Sequence, residues 1–190
     1  MQASYAEFLV AAIVMEITPG PNMTWLALLS AREGRAAGLM AVAGIASGLA
    51  MLSLIAATGA AALIIAWPAL YEFLRWGGVL FLLFLALEAW NGEKDDGSRG
   101  VAGRHFRRGL LVNLLNPKAA AVYLVMIPSF AGASTADAGA IALMTVIYLA
   151  IATAAHTLIV VFAATFQKAL AESDADDVFT VPETTDNVTA

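Results

Sequence analysis

The sequence predicts an all-α polytopic membrane protein of about five transmembrane helices, two of them interrupted. Three observations carry this. The 190 residues are 61% hydrophobic and only 13% charged, with a mean hydropathy of +0.79, whereas a soluble domain averages about 45–50% apolar and about 25% charged. The apolar residues gather in runs long enough to cross a bilayer, which takes about 20 residues of helix. Two of those runs are broken near their middles, at Pro19-Gly20-Pro21-Asn22 and at Asn116-Pro117. Proline lacks an N–H donor and clashes with the preceding turn, so neither break continues an α-helix. In lipid, broken backbone is tolerated only where it is packed in protein or lines a cavity.

In chain order, the first span covers about 6–30. Its flank, residues 1–7, has no Lys or Arg, and the run is longer than a typical signal-peptide core. A short basic turn, Arg32-Glu33-Gly34-Arg35, leads to a second apolar run over 36–66. That run exceeds the crossing length and must tilt or extend past the bilayer. Trp67-Pro68 ends it. The third span covers about 70–90, with Tyr71, Trp76 and Trp90 as interface aromatics. A polar loop over 91–108 follows, then a fourth span over 109–130, a short loop, and a fifth span over 139–166. The transmembrane part is therefore expected over 1–168, and 169–190 reads as an acidic polar tail without fixed structure. The stretch 167–190 holds one lysine and six acids, which accounts for the whole formal net charge of −5. That charge describes a tail and points to no nucleic-acid partner.

Orientation follows from the basic residues. Arg32, Arg35, Lys94, Arg99, Arg104, Arg107, Arg108 and Lys168 all fall on one side of a five-span arrangement, and the excess of Lys and Arg marks that side as cytoplasmic. The N-terminus is then external and the tail cytoplasmic. The chain has no cysteine, so it offers neither a disulfide framework nor a thiolate metal site. His105 and His156 show no metal-ligand spacing, and no Ser or Cys nucleophile stands beside a base. The sequence thus argues against an enzyme and implies no metal or other cofactor.

The two breaks share a chemistry. Thr18-Pro19 and Asn116-Pro117 each pair an N-cap residue with a proline at the first helical position, and Gly20-Pro21 offers a second restart beside the first. A restarted half-helix presents unpaired N–H groups and a positive dipole end, a ready place for a carboxylate. The breaks lie roughly 18 Å and 12 Å from the cytoplasmic ends of their spans, at 1.5 Å per residue. Interrupted helices in corresponding places of two halves point to a transporter's binding site. Glu16, Asn22 and Thr24 surround the first break, and Asn113, Asn116 and Lys118 the second. Ionisable groups inside a bilayer usually face a cavity or a partner. Lys118 either adds charge to the second dipole end, snorkels toward the interface, or pairs with Glu16. His156 reads as a polar contact between helices. Gly44 and Gly48 form a small-xxx-small face that lets helices approach closely, within the subunit or between copies of it.

Taken together, Pro19-Gly20-Pro21-Asn22, Gly34-Arg35-Ala36-Ala37-Gly38, Gly44-xxx-Gly48, Arg107-Arg108-Gly109, Asn113-Leu114-Leu115-Asn116-Pro117-Lys118 and Pro128-Ser129-Phe130 resemble the LysE/RhtB amino-acid exporters in order and spacing. The resemblance covers residues 5–166. It implies a multi-pass protein of the bacterial inner membrane whose export of amino acids or close derivatives is driven by ion gradients. It also implies that both motifs line the path. On that basis Pro19, Gly20, Pro21, Asn22, Asn116, Pro117 and Lys118 are the expected substrate-binding residues, with Glu16 a candidate for ion coupling. Members of that family usually carry a sixth span, for which 167–190 has no apolar run. The competing expectation is therefore a non-transporting partner subunit or a truncated remnant of such an exporter. The expected partners are an amino-acid substrate, the lipid bilayer and a second copy in a homo-oligomer.

Overall fold

The computed structural model describes residues 5–57, 101–131 and 138–179, with scattered positions between 66 and 87. Its elements are α1 (Tyr5–Ile17), α2 (Pro21–Ala57), α3 (Val101–Leu114), α4 (Pro117–Ala121), a π-helical turn (Val122–Met126), α5 (Ile127–Ala131) and α6 (Ala138–Phe179). The described residues are helical and include no strand. Pro21–Ala57 and Ala138–Gln167 are each long and apolar enough to cross a membrane. Gly103–Leu114 and Pro117–Ala131 form a third candidate, bent by 53° at the second break. The chain is an all-α polytopic membrane protein. Most of the span expected over 70–90 lies outside the described residues, as do the loop at 132–137 and the end of the tail at 180–190.

Both expected breaks are present. α1 stops at Ile17 and α2 starts at Pro21, while α3 stops at Leu114 and α4 starts at Pro117. The first restart is not the one expected at Thr18-Pro19. Thr18 closes α1, with its N–H and its hydroxyl both donating to the Val14 carbonyl at 3.1 and 2.9 Å. Gly20 is the cap: its carbonyl accepts from the N–H groups of Met23 and Thr24 at 3.0 and 3.1 Å. The reason is donor supply, because the first bonds of a helix need N–H groups three and four residues on. The second restart matches expectation. The Asn116 side chain accepts from the Lys118 N–H at 3.0 Å, and Pro117 takes the first position. Pro117 offers no donor to the Asn113 carbonyl, which accepts from the Asn116 N–H at 3.0 Å instead.

Within α2 the chain folds back at Gly34, whose φ of 82° and ψ of −177° are non-helical. Ser30 and Gly38 abut across this turn: a Cβ on Gly38 would collide with Ser30 Oγ, although eight residues of straight helix span about 12 Å. The turn is held from both sides. Glu33 Oε2 lies 3.1 Å from His105 Nε2 on α3, and Arg35 donates to Thr165 Oγ1 on α6 at 2.6 Å. His105, Arg104, Arg107 and Arg108 therefore sit on a helix, since α3 begins at Val101 inside the polar loop expected over 91–108. α6 likewise continues to Phe179, past the boundary expected at 168.

The core lies where α2 packs against α3 and α6, with Leu26, Ala41, Ile45, Leu49, Val122 and Ala152 among its buried residues. Glycine sets the α2–α3 distance. A Cβ on Gly44 would strike the Phe106 carbonyl, and one on Gly109 would strike the Ala41 carbonyl. The Gly44–Gly48 face thus packs inside the subunit. α1 packs on α6, and Phe8 meets Phe130 of α5 edge-on at 5.6 Å.

Candidate functional site

The two breaks meet. Asn22, on the first turn of α2, donates from Nδ2 to Asn113 Oδ1 on the last turn of α3 at 2.9 Å. Both side chains are buried. Lys118, at the start of α4, reaches back to the first break, where its Nζ donates to the Thr18 carbonyl at 2.9 Å. That carbonyl is free because the helix ended there. Lys118 Nζ also stands 3.8 Å from Glu16 Oε1. Gly20 admits the lysine stem, since a Cβ there would lie 3.3 Å from Lys118 Cδ.

Glu16 is the centre of the cluster. It is 5% exposed, and a carboxylate in that position needs partners. Tyr148 on α6 donates its hydroxyl to Glu16 Oε1 at 2.6 Å. His156, two turns further along α6, places Nε2 4.0 Å from Glu16 Oε2. Tyr123, on the π-helical turn, packs edge-on against Tyr148 with ring centroids 5.9 Å apart. A π turn within a helix often marks a functional position, and here it coincides with an aromatic placed against the residue that holds Glu16.

These groups enclose a small cavity lined by Glu16, Gly20, Asn22, Asn113, Lys118 and Tyr148, with His156, Asn116, Met23, Leu49 and Ala119 completing the wall. Its free volume, about 10 Å³, is room for about one water. Four buried polar atoms of its lining residues have no hydrogen-bond partner, Glu16 Oε2, Asn22 Oδ1, Asn113 Nδ2 and His156 Nδ1, and Tyr123 Oη, on the ring packed against Tyr148, is a fifth. Such atoms are rare in a packed interior. Five of them at one place make a site with unused donors and acceptors of both kinds.

Of the residues expected from sequence, Gly20, Asn22, Asn116, Lys118 and Glu16 come together here. Pro19, Pro21 and Pro117 do not line the cavity; they are exposed, and they act on the backbone by ending and restarting the helices. Sequence reasoning missed Tyr148 and placed neither Asn113 nor His156 in the site. A signal was present on α6. Tyr148, Ala152 and His156 follow at four-residue intervals and so share one face, and all three are buried.

A family model for the LysE type translocator matches residues 13–179 of the chain. The chain belongs to the LysE type translocator family. Among its relatives in that family are the leucine efflux proteins of Salmonella typhimurium and of Klebsiella pneumoniae. Each is 31% identical over 133 residues, a stretch that covers 67% of this chain and 63% of the relative. The chain thus matches less than two thirds of the length of these relatives. No solved structure matches it.

Proposed function

We infer that this translocator-family chain is a secondary transporter that exports amino acids or close derivatives across the bacterial inner membrane. The observation that carries the reading is the meeting of two helix breaks at one buried cavity, which holds a carboxylate, an ammonium and two amides that each keep one unpartnered atom. Irregular backbone at membrane depth is costly unless it serves a cavity, and broken helices that face one another suit a small polar solute. Gly20, Asn22, Asn113, Asn116 and Lys118 are the proposed binding residues. Pro19, Pro21 and Pro117 shape the site, and Glu16 is the candidate for ion coupling. The relatives' name directs the first assays to leucine, and the apolar wall of Met23, Leu49 and Ala119 suits such a side chain.

The cavity has room for about one water, so this is a closed arrangement and an amino acid enters only after the helices part. The excess of Lys and Arg around the Gly34 turn and α3 supports an orientation with that end in the cytoplasm, the N-terminus external and the acidic tail cytoplasmic. The test is efflux from bacterial cells preloaded with a panel of amino acids, with and without the chain. Faster loss of leucine or of another member of the panel is expected. Unchanged loss of every member, with membrane insertion confirmed, would overturn the reading.

A further inference from the structure

Glu16 and Lys118 are neighbours that are not bonded to each other. Lys118 Nζ stands 3.8 Å from Glu16 Oε1, beyond hydrogen-bond reach, and gives its bond to the Thr18 carbonyl. Glu16 Oε1 takes the Tyr148 hydroxyl, while Oε2 has no hydrogen-bond partner. Another titratable group of the lining, His156, has its Nε2 at 4.0 Å from Oε2 and its Nδ1 without a partner. Asn22 Oδ1 and Asn113 Nδ2 are unpartnered on another wall of the same cavity. Apart from His156, the charged side chains among the described lining residues are one carboxylate and one ammonium.

Resting on the reading of this cavity as the substrate site, we propose that the Glu16–Lys118 pair selects its substrate by charge state, opening to admit one zwitterion between its two members. The substrate ammonium takes the Glu16 carboxylate and the Thr18 carbonyl that Lys118 now occupies. The substrate carboxylate takes the released Lys118 ammonium and the free N–H of Asn113. No charge is left uncompensated after this exchange. A ligand with an ammonium alone satisfies Glu16 but strands Lys118, and one with a carboxylate alone strands Glu16. Stranding either member of a charge pair held within a membrane-spanning segment is what such sites tolerate least. In a membrane interior the penalty corresponds to an affinity loss on the order of a hundredfold.

The experiment measures binding of three labelled ligands with one side chain to the purified full-length chain in proteoliposomes. They are leucine, its methyl ester (an ammonium only) and 4-methyl-2-oxopentanoate (a carboxylate only), or the equivalent trio for whichever amino acid the efflux panel identifies. The wild-type chain is expected to bind the zwitterion about a hundredfold more tightly than either relative. Glu16→Gln is expected to move the preference toward the keto acid, and Lys118→Met toward the ester. A purely structural role for the pair would weaken all three ligands in parallel, so opposite shifts are the distinguishing readout. The proposal is overturned if ester or keto acid binds the wild-type chain within a few-fold of the zwitterion, or if both variants lose all three together. The wild-type ranking requires no variant to fold. Loss of export for every amino acid would remove the transport reading as well, whereas export with unselective binding would remove the charge filter alone.

Discussion

Asn22 and Asn113 join the two breaks through one buried hydrogen bond across 91 residues of sequence. Polar contacts between membrane helices are worth about 0.6 kcal/mol on average and at most about 1.7 kcal/mol. A double-mutant cycle of Asn22→Ala and Asn113→Ala, read by thermal unfolding in detergent, should therefore give a coupling energy of about 0.6–1.7 kcal/mol. Gly34 presents a different residue-scale problem. Its φ of 82° with ψ of −177° lies in a region open essentially to glycine, and a Cβ there would meet nothing within 4 Å. The whole cost of Gly34→Ala is thus backbone strain, about 1–3 kcal/mol. The same unfolding measurement should show that loss, with no rescue from shortening nearby side chains.

At the scale of elements, the second break depends on a cap and the α2–α3 contact on missing side chains. Asn116→Ala removes the acceptor for the Lys118 N–H and should lower stability by about 0.5–2 kcal/mol, while Asn116→Ser keeps a neutral acceptor and should lose much less. Gly44→Val would force a side chain into the Phe106 backbone. Overpacking of this kind costs about 1–3 kcal/mol, and its effect should appear as reduced yield of folded protein and a lower unfolding temperature. The breaks themselves were legible in the sequence because Pro19, Pro21, Asn116 and Pro117 act on their own backbone. The choice of Gly20 over Thr18 as the cap was less legible, since it turns on which carbonyl the next free N–H groups can reach. The helical start at Val101 was hidden because Arg104, His105, Arg107 and Arg108 make the segment read as a loop. Their partners, such as Glu33 for His105, come from distant sequence.

At the scale of the whole molecule, α1, α4 and α6 each bring one part of a charge cluster that no single segment contains. Glu16 meets Tyr148 across 132 residues and Lys118 meets Thr18 across 100. The apolar runs disclosed a membrane protein, and the paired breaks disclosed the region of the site. Tyr148 escaped notice because its role depends on how α6 packs against α1, which hydropathy does not encode. If both breaks enclose one amino-acid site, a bound substrate shields a thiol in its wall, and the absence of cysteine from the chain leaves such a thiol as the one that reacts. Met23→Cys places a single thiol in the cavity wall, and Ala36→Cys places a control on the exposed surface beside the Gly34 turn. The measurement is the rate of maleimide labelling in proteoliposomes with and without saturating substrate amino acid. Labelling at position 23 should slow several-fold in its presence while position 36 is unaffected. An unchanged rate at position 23, under conditions where the same amino acid is exported, would place the substrate outside this cavity.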